Sequence, residues 1–102
     1  MKTYDKIVRD KIPQIIESKG KKSSSLVVDK DETIKYLIKK FSEEISEFEE
    51  EHSIEELADI LEIVHGLAYH LDFDFSDLES IRKQKSIERG GFEKSIVLKE
   101  VW

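Results

Sequence analysis

Residues 31–51 read DETIKYLIKKFSEEISEFEEE, and the apolar residues within this stretch recur every three or four positions. On a helix, that spacing places one set of apolar side chains on a single face: Ile34, Leu37, Ile38, Phe41, Ile45 and Phe48. The stretch is therefore predicted to form a long amphipathic helix that packs its apolar face against other elements.

The next stretch, residues 53–71, is predicted to form a second long helix. Ser53 is a favourable N-cap residue, and Glu56, three residues later, is the matching partner in a capping box. The apolar residues cover more than half of this helix's circumference: they are Ile54, Leu57, Ile60, Leu61, Ile63, Val64, Leu67, Ala68 and Leu71. One neighbouring helix cannot bury so wide a surface. We therefore expect a homodimer, or a dimer of dimers, in which helices from two chains form a four-helix core.

Two further helices are predicted, one on each side of this pair. A short helix is predicted over residues 13–19, which begin with a proline suited to the first helical position. A third long helix is predicted to begin at Ser76, with Glu79 as its capping-box partner, and to end at the Gly90-Gly91 pair.

Two short apolar runs, residues 26–28 and 96–98, are candidates for strands that pair with each other. No repeat and no interdomain linker interrupts the chain. The sequence thus predicts a single all-α domain over residues 1–102, an antiparallel helical bundle completed by dimerisation. The two apolar runs would add a short terminal β-hairpin to that bundle.

The composition limits the classes of function. Charged residues make up 39% of the chain and hydrophobic residues 38%, and no apolar run is long enough to cross a bilayer. A formal net charge of −6 argues against general binding to a nucleic-acid polymer, which needs a basic surface. No apolar signal core follows the N-terminus, so a cytoplasmic location is expected. Because the chain has no cysteine, a metal ion would have to bind to oxygen or histidine.

Acidic residues concentrate in two motifs, EEISE at residues 43–47 and ELAD at residues 56–59. Each motif contains two carboxylates three positions apart, which share one face of a helix and repel each other. A carboxylate in an apolar setting is costly, and it is usually protonated, paired with a base or bound to a cation. Oxygen ligands favour a hard cation, so Mg²⁺ is the expected ion and Mn²⁺ its natural substitute. Acidic runs on helices are also common as solvated faces, and the spacing alone leaves both interpretations open.

Helical projection separates the acids into two groups. Glu44 and Glu47 lie at the apolar face of the first long helix, whereas Glu43 points away from it. Glu56 falls on the apolar face of the second long helix, and Asp59 borders that face. Four of the five acids therefore point inward.

The order of these motifs resembles that of the all-helical nucleoside triphosphate pyrophosphohydrolases, a superfamily that includes MazG and phosphoribosyl-ATP pyrophosphohydrolase. Two further segments resemble its small MazG-like members: YDKIVRDKIP at residues 4–13 and ERGGFE at residues 88–93. The resemblance therefore covers nearly the whole chain. One departure is the connection of only eight residues, 48–55, between the acidic motifs. This connection is tighter than in many MazG proteins and would narrow or reshape the base pocket.

The resemblance also implies a set of site residues. It assigns the metal to the same four acids that projection turns inward: Glu44, Glu47, Glu56 and Asp59. Glu43 becomes an accessory acid of the catalytic group. The implied phosphate or nucleotide contacts are four basic residues: Arg9, Lys11, Lys85 and Arg89.

The implied activity is Mg²⁺-dependent hydrolysis of nucleoside triphosphates, or related nucleotides, to a monophosphate and pyrophosphate. A house-cleaning role on noncanonical or surplus nucleotides is the expectation. Two alternatives stay open at this stage. One is the phosphoribosyl-ATP step of histidine biosynthesis, and the other is a helical dimerisation or regulatory module that lacks the chemistry.

Overall fold

The computed structural model describes residues 2–102, which form four helices and, within that range, no strand. The helices are α1 (Ile12–Ser18), α2 (Lys30–Glu50), α3 (Ile54–His70) and α4 (Phe75–Arg89). The predicted all-α class is therefore confirmed, and each predicted helix is present within one or two residues of its expected bounds.

Helices α2 and α3 form an antiparallel pair, and side chains cap both of their N-termini. The carboxylate of Asp29 accepts a hydrogen bond from the backbone N–H of Glu32 at 2.9 Å. The hydroxyl of Ser53 accepts one from the N–H of Glu56 at 3.2 Å, as the capping-box pattern predicts. Only three residues, 51–53, separate the two helices, and a connection this short makes them adjacent and antiparallel.

Gly66 of α3 lies against Leu37 of α2 in the contact between the two helices. A Cβ atom added to Gly66 would be 3.4 Å from Cδ1 of Leu37, which is ordinary van der Waals contact. Leu37, Ile63 and Ala68 are the buried apolar residues of the described chain. This core is small for a domain of 102 residues.

Helix α4 begins one residue earlier than predicted, and its N-cap is not Ser76. The carboxylate of Asp74 caps the helix by accepting from the N–H of Ser76 at 2.7 Å. Glu79 is not a capping-box partner, because its carboxylate accepts from Nε of Arg82 at 3.0 Å. The helix ends before Gly90, as expected, and Gly90 has a φ of 85° that favours glycine.

The predicted terminal β-hairpin is wrong. Residues 26–28 and 96–98 have no regular secondary structure, and most of their apolar side chains are exposed. Runs of three apolar residues are short for strands, and an isolated two-stranded hairpin is at best marginally stable in water.

The single chain is extended and leaves much of its apolar surface uncovered. Its radius of gyration is 17.8 Å, compared with about 13 Å for a compact domain of this length. Exposed fractions on α3 are 78% for Ile54, 51% for Leu57 and 53% for Leu61. Helix α4 covers only the far end of α3, where the rings of Phe75 and His65 stack with centroids 3.6 Å apart. None of the described helices is long and apolar enough to cross a membrane.

The two sides of the α2–α3 pair differ in character. In helical projection, four exposed apolar residues of the two helices lie on one side: Ile38, Ile45, Leu57 and Leu61. The acids that form ion pairs with the N-terminal segment lie on the other side: Glu43, Asp59 and Glu62. The pair therefore has an apolar side and an acidic side.

Candidate metal centre

The antiparallel pairing brings acids of the two sequence motifs together. Glu44 of α2 and Glu56 and Asp59 of α3 each offer a carboxylate oxygen, and these oxygens lie within 4.8 Å of one another. Leu37 and Gly66 meet farther from the connection, so the helix register places the two motifs opposite each other close to it. We call Glu44, Glu56 and Asp59 the acidic site.

Two oxygens of the acidic site are buried without a hydrogen-bond donor. Glu44 is 8% exposed, and its Oε2 has no hydrogen-bond partner among the described residues. The Oε2 of Glu56 is likewise buried and has no hydrogen-bond partner among the described residues. The nearest cation to Glu44 is Nζ of Lys40, which lies 3.9 Å from the other oxygen, Oε1. Buried acceptors without a donor are costly, so this arrangement calls for a proton or a cation between the carboxylates.

The pKa of Glu56 also indicates that a proton or a cation belongs between these carboxylates. The pKa of Glu56 is raised from an ordinary value of 4.5 to about 7, first by hydrogen bonding to the Glu44 carboxylate and then by desolvation. The negative charges of Glu47 and Glu44 and a hydrogen bond to Glu47 add to this increase in pKa. In the metal-free protein near neutral pH, a proton on Glu56 can thus serve as the donor that the facing carboxylates lack.

The raised pKa of Glu56 predicts a specific pH dependence. Because the folded pKa of about 7 is above the ordinary 4.5, the folded protein binds the proton more tightly than the unfolded chain does. The stabilisation is complete below pH 4.5 and is lost as the pH rises through 7, so the melting temperature in EDTA should fall across this window. Glu56→Gln should remove this part of the dependence of the melting temperature on pH. Melting curves of both proteins at several pH values measure the difference.

Metal affinity should show the opposite pH dependence. A cation at this site has to displace the proton, so Mg²⁺ affinity at pH 6 should be about tenfold weaker than at pH 8. Titration calorimetry at both pH values would measure this ratio. An equal affinity at the two values would mean that the cation does not compete with the Glu56 proton.

The other two predicted acids lie beside the acidic site and not within its three-acid group. Glu47 is exposed, yet it is close enough to Glu56 for its charge and a hydrogen bond to raise the pKa of that residue. Glu43 is half-buried and forms an ion pair with Nζ of Lys6 at 3.4 Å. The projection from sequence, in which Glu43 points away from its neighbour Glu44, agrees with this placement.

The N-terminal segment contacts the acidic side of the helix pair, and sequence reasoning missed most of these contacts. The Nη2 of Arg9 donates to Oδ1 of Asp59 at 2.8 Å, and its Nη1 lies 4.0 Å from Oε1 of Glu62. The hydroxyl of Tyr36 donates to Oδ1 of Asp5 at 2.7 Å. Arg9 is therefore next to the acidic site, where it binds one of the acids. A local sequence pattern does not indicate such pairs; fifty positions, for example, separate Arg9 from Asp59.

The remaining predicted basic residues lie elsewhere. Lys11 is exposed at the N-cap of α1 and forms no ion pair within the described residues. Lys85 and Arg89 line an open groove at the end of α4, together with Arg82, Ser86 and Phe92. The side chain of Arg82 is engaged by Glu79, which leaves Lys85 and Arg89 as the groove's available cations within the described chain.

The acidic site suits a hard divalent cation. It offers only oxygen ligands, two of them buried without a donor, and it has an exposed neighbouring acid in Glu47. No protein-family model, curated protein sequence or solved structure matches this chain. The resemblance to the MazG-like proteins therefore rests on the sequence motifs alone, and the argument for function depends on the geometry of the site.

Proposed function

We propose that this protein is a Mg²⁺-dependent nucleotide pyrophosphohydrolase, which converts a nucleoside triphosphate or a related nucleotide to a monophosphate and pyrophosphate. The observation that carries the proposal is the buried Glu44, which has an oxygen without a donor and whose carboxylate is grouped with those of Glu56 and Asp59. A solvated acidic face would not contain a glutamate that is only 8% exposed and has a buried oxygen without a donor. The solvated-face interpretation is therefore the weaker one for this residue.

Each acid has a distinct role in this proposal. Glu44, Glu56 and Asp59 bind the cation, and Glu47 completes the set from its exposed position beside Glu56. When bound, Mg²⁺ neutralises phosphate charge and lowers the pKa of a coordinated water. Mn²⁺ prefers the same ligands and is the expected substitute.

The reaction needs a base for the attacking water and cations for the phosphates. Glu47 is accessible to solvent and can accept the proton of the water, with Glu43 as an accessory acid held by Lys6. The water oxygen forms a bond to phosphorus while the anhydride bond to the leaving pyrophosphate breaks. Arg9, which contacts Asp59, is the cation at the acidic site that can bind phosphate oxygens, whereas Lys85 and Arg89 line a separate groove at the end of α4. A house-cleaning role on noncanonical or surplus nucleotides fits this chemistry.

The identity of the product and the metal requirement test the proposal directly. With Mg²⁺ or Mn²⁺, a panel of nucleoside triphosphates should yield pyrophosphate and monophosphate, and EDTA should lower the rate by at least about a hundredfold. Ca²⁺ should bind but support turnover poorly, because its looser coordination orders water less strictly. Separate assays for pyrophosphate and orthophosphate measure these outcomes. Release of orthophosphate alone would point to a different reaction.

The exposed apolar side of the helix pair favours one alternative, a helical dimerisation module without catalysis. Such a module would not need a divalent cation. Mg²⁺ titration followed by thermal denaturation separates the two, because a protein without a metal site should show no specific increase in melting temperature.

A further inference from the structure

The N-terminal segment, residues 2–9, lies across the acidic side of the α2–α3 pair and is held there largely by charge. Lys6 contacts Glu43 at 3.4 Å, and Arg9 contacts Asp59 at 2.8 Å and Glu62 at 4.0 Å. These residues have no helix or strand of their own, and nearly all of them are exposed. The segment thus places one guanidinium group on an acid of the acidic site.

That guanidinium and a divalent cation would compete for the same carboxylate. The Nη2 of Arg9 bonds directly to Oδ1 of Asp59, whereas Mg²⁺ binds carboxylate oxygens at about 2.1 Å. A cation on the Asp59 carboxylate would therefore lie within a few ångströms of the guanidinium, and two positive charges at that separation repel each other. Each of them therefore weakens the binding of the other to Asp59.

We propose that Arg9 is the resident counter-cation of the acidic site, that a divalent cation displaces it from Asp59, and that the released guanidinium then binds the phosphates of the nucleotide. This inference rests on the proposed function, since it takes the acidic site to be a metal centre. Glu62 offers the released guanidinium a second anion at 4.0 Å. The planar guanidinium can bind two phosphate oxygens at once, which an ammonium group cannot do in the same geometry.

The two steps have opposite consequences for the same substitution. Removing the guanidinium frees Asp59, so the divalent cation alone should bind more tightly to Arg9→Gln. Removing it also deletes a phosphate contact, so a phosphate ligand should bind more weakly to the metal-loaded variant. A purely structural ion pair would weaken both events, and a simple phosphate contact would leave metal affinity unchanged.

Lys6 supplies a matched control in the same segment. It also pairs with an acid of α2, but that acid is Glu43, which is outside the acidic site. Lys6→Gln removes the same charge from the same exposed segment without freeing a metal ligand. It should change Mn²⁺ affinity by less than about twofold.

The experiment is a titration of the wild type, Arg9→Gln and Lys6→Gln with Mn²⁺ alone, followed by paramagnetic resonance or calorimetry. Arg9→Gln should bind Mn²⁺ about fivefold more tightly, which corresponds to an exposed ion pair of about 1 kcal/mol. The same proteins saturated with Mn²⁺ are then titrated with inorganic pyrophosphate, a probe independent of the nucleotide base. Arg9→Gln should bind pyrophosphate about tenfold more weakly than the wild type.

Each other outcome overturns a stated part of the argument. Unchanged or weaker Mn²⁺ binding by Arg9→Gln overturns the counter-cation role and leaves the metal centre intact. Tighter Mn²⁺ binding with unchanged pyrophosphate affinity overturns the transfer of Arg9 to phosphate. An equal gain in Mn²⁺ affinity in Lys6→Gln would mean that the effect comes from the loss of any positive charge and not from the pairing of Arg9 with Asp59. If none of the three proteins binds Mn²⁺, the metal centre itself fails, and with it the proposed function.

Discussion

Glu44→Gln should nearly abolish the increase in melting temperature that Mg²⁺ causes, while Glu43→Gln should keep most of it. The two residues are neighbours with the same chemistry but opposite surroundings. Glu44 is buried within the three-acid group and has a free oxygen, whereas Glu43 faces Lys6. Loss of one anionic ligand from so small a set should reduce Mg²⁺ affinity by at least about a hundredfold and turnover with it.

Without metal, Glu44→Gln should be slightly more stable than the wild type. The substitution removes one of several crowded negative charges, so the protein in EDTA should gain about 0.5 kcal/mol of stability if helix-surface repulsion sets the scale. The new amide can also donate a hydrogen bond to Glu56, which lacks a donor in the wild type. A variant that was merely misfolded would lose stability both with and without metal.

The comparison of the two variants also separates the interpretations of the acidic site. Thermal denaturation in EDTA and in a series of Mg²⁺ concentrations gives the stability without metal and the increase in melting temperature caused by Mg²⁺ from one set of samples. If the two variants lose Mg²⁺ stabilisation equally, or if Glu44→Gln keeps it, then the inward set of ligands is wrong. The acids would in that case be a solvated face.

Sequence periodicity was sufficient to predict α2 and α3, because their apolar residues recur at helical spacing, whereas α1 and α4 were predicted from residues that begin or end helices. The capping of α3 was also predictable, since Ser53 and Glu56 have the required separation. The N-cap of α4 was not, because Asp74 and Ser76 both suit that role and only the backbone geometry decides between them. The hairpin prediction failed because apolar content in residues 26–28 and 96–98 says nothing about a partner to pack on.

The acidic site was predictable in part, because helical projection indicates which side chains of a helix point inward. Projection placed Glu44, Glu56 and Asp59 inward from their own helices, and the short connection makes those helices neighbours. Projection also turned Glu47 inward, yet this side chain is exposed, because it lies at the edge of the contact between the helices. The pairing of Arg9 with Asp59 was beyond sequence reasoning, because it depends on the path of a segment without periodic structure.

We expect the wild type to be a homodimer, and Leu61→Asp should then make the protein monomeric, while Leu26→Asp should leave its oligomeric state unchanged. Both leucines are exposed in the single chain, at 53% and 79%, but only Leu61 lies on the apolar side of the α2–α3 pair. In a twofold-symmetric interface each substitution occurs twice, so two carboxylates would have to be buried without partners. The dissociation constant should therefore increase by at least about a hundredfold for Leu61→Asp.

Light scattering and sedimentation at micromolar concentration measure this directly, and the wild type should have the mass of a dimer or of a dimer of dimers. The physical reason is that the small core leaves much apolar surface uncovered: Ile54, Leu57 and Leu61 are all more than half exposed, and the described residues include only three buried apolar side chains. A second copy that covers this side would add the missing core and leave the acidic side open to solvent. A wild type that stays monomeric would remove the interface argument without touching the metal centre, because the apolar and acidic residues lie on opposite sides of the same two helices.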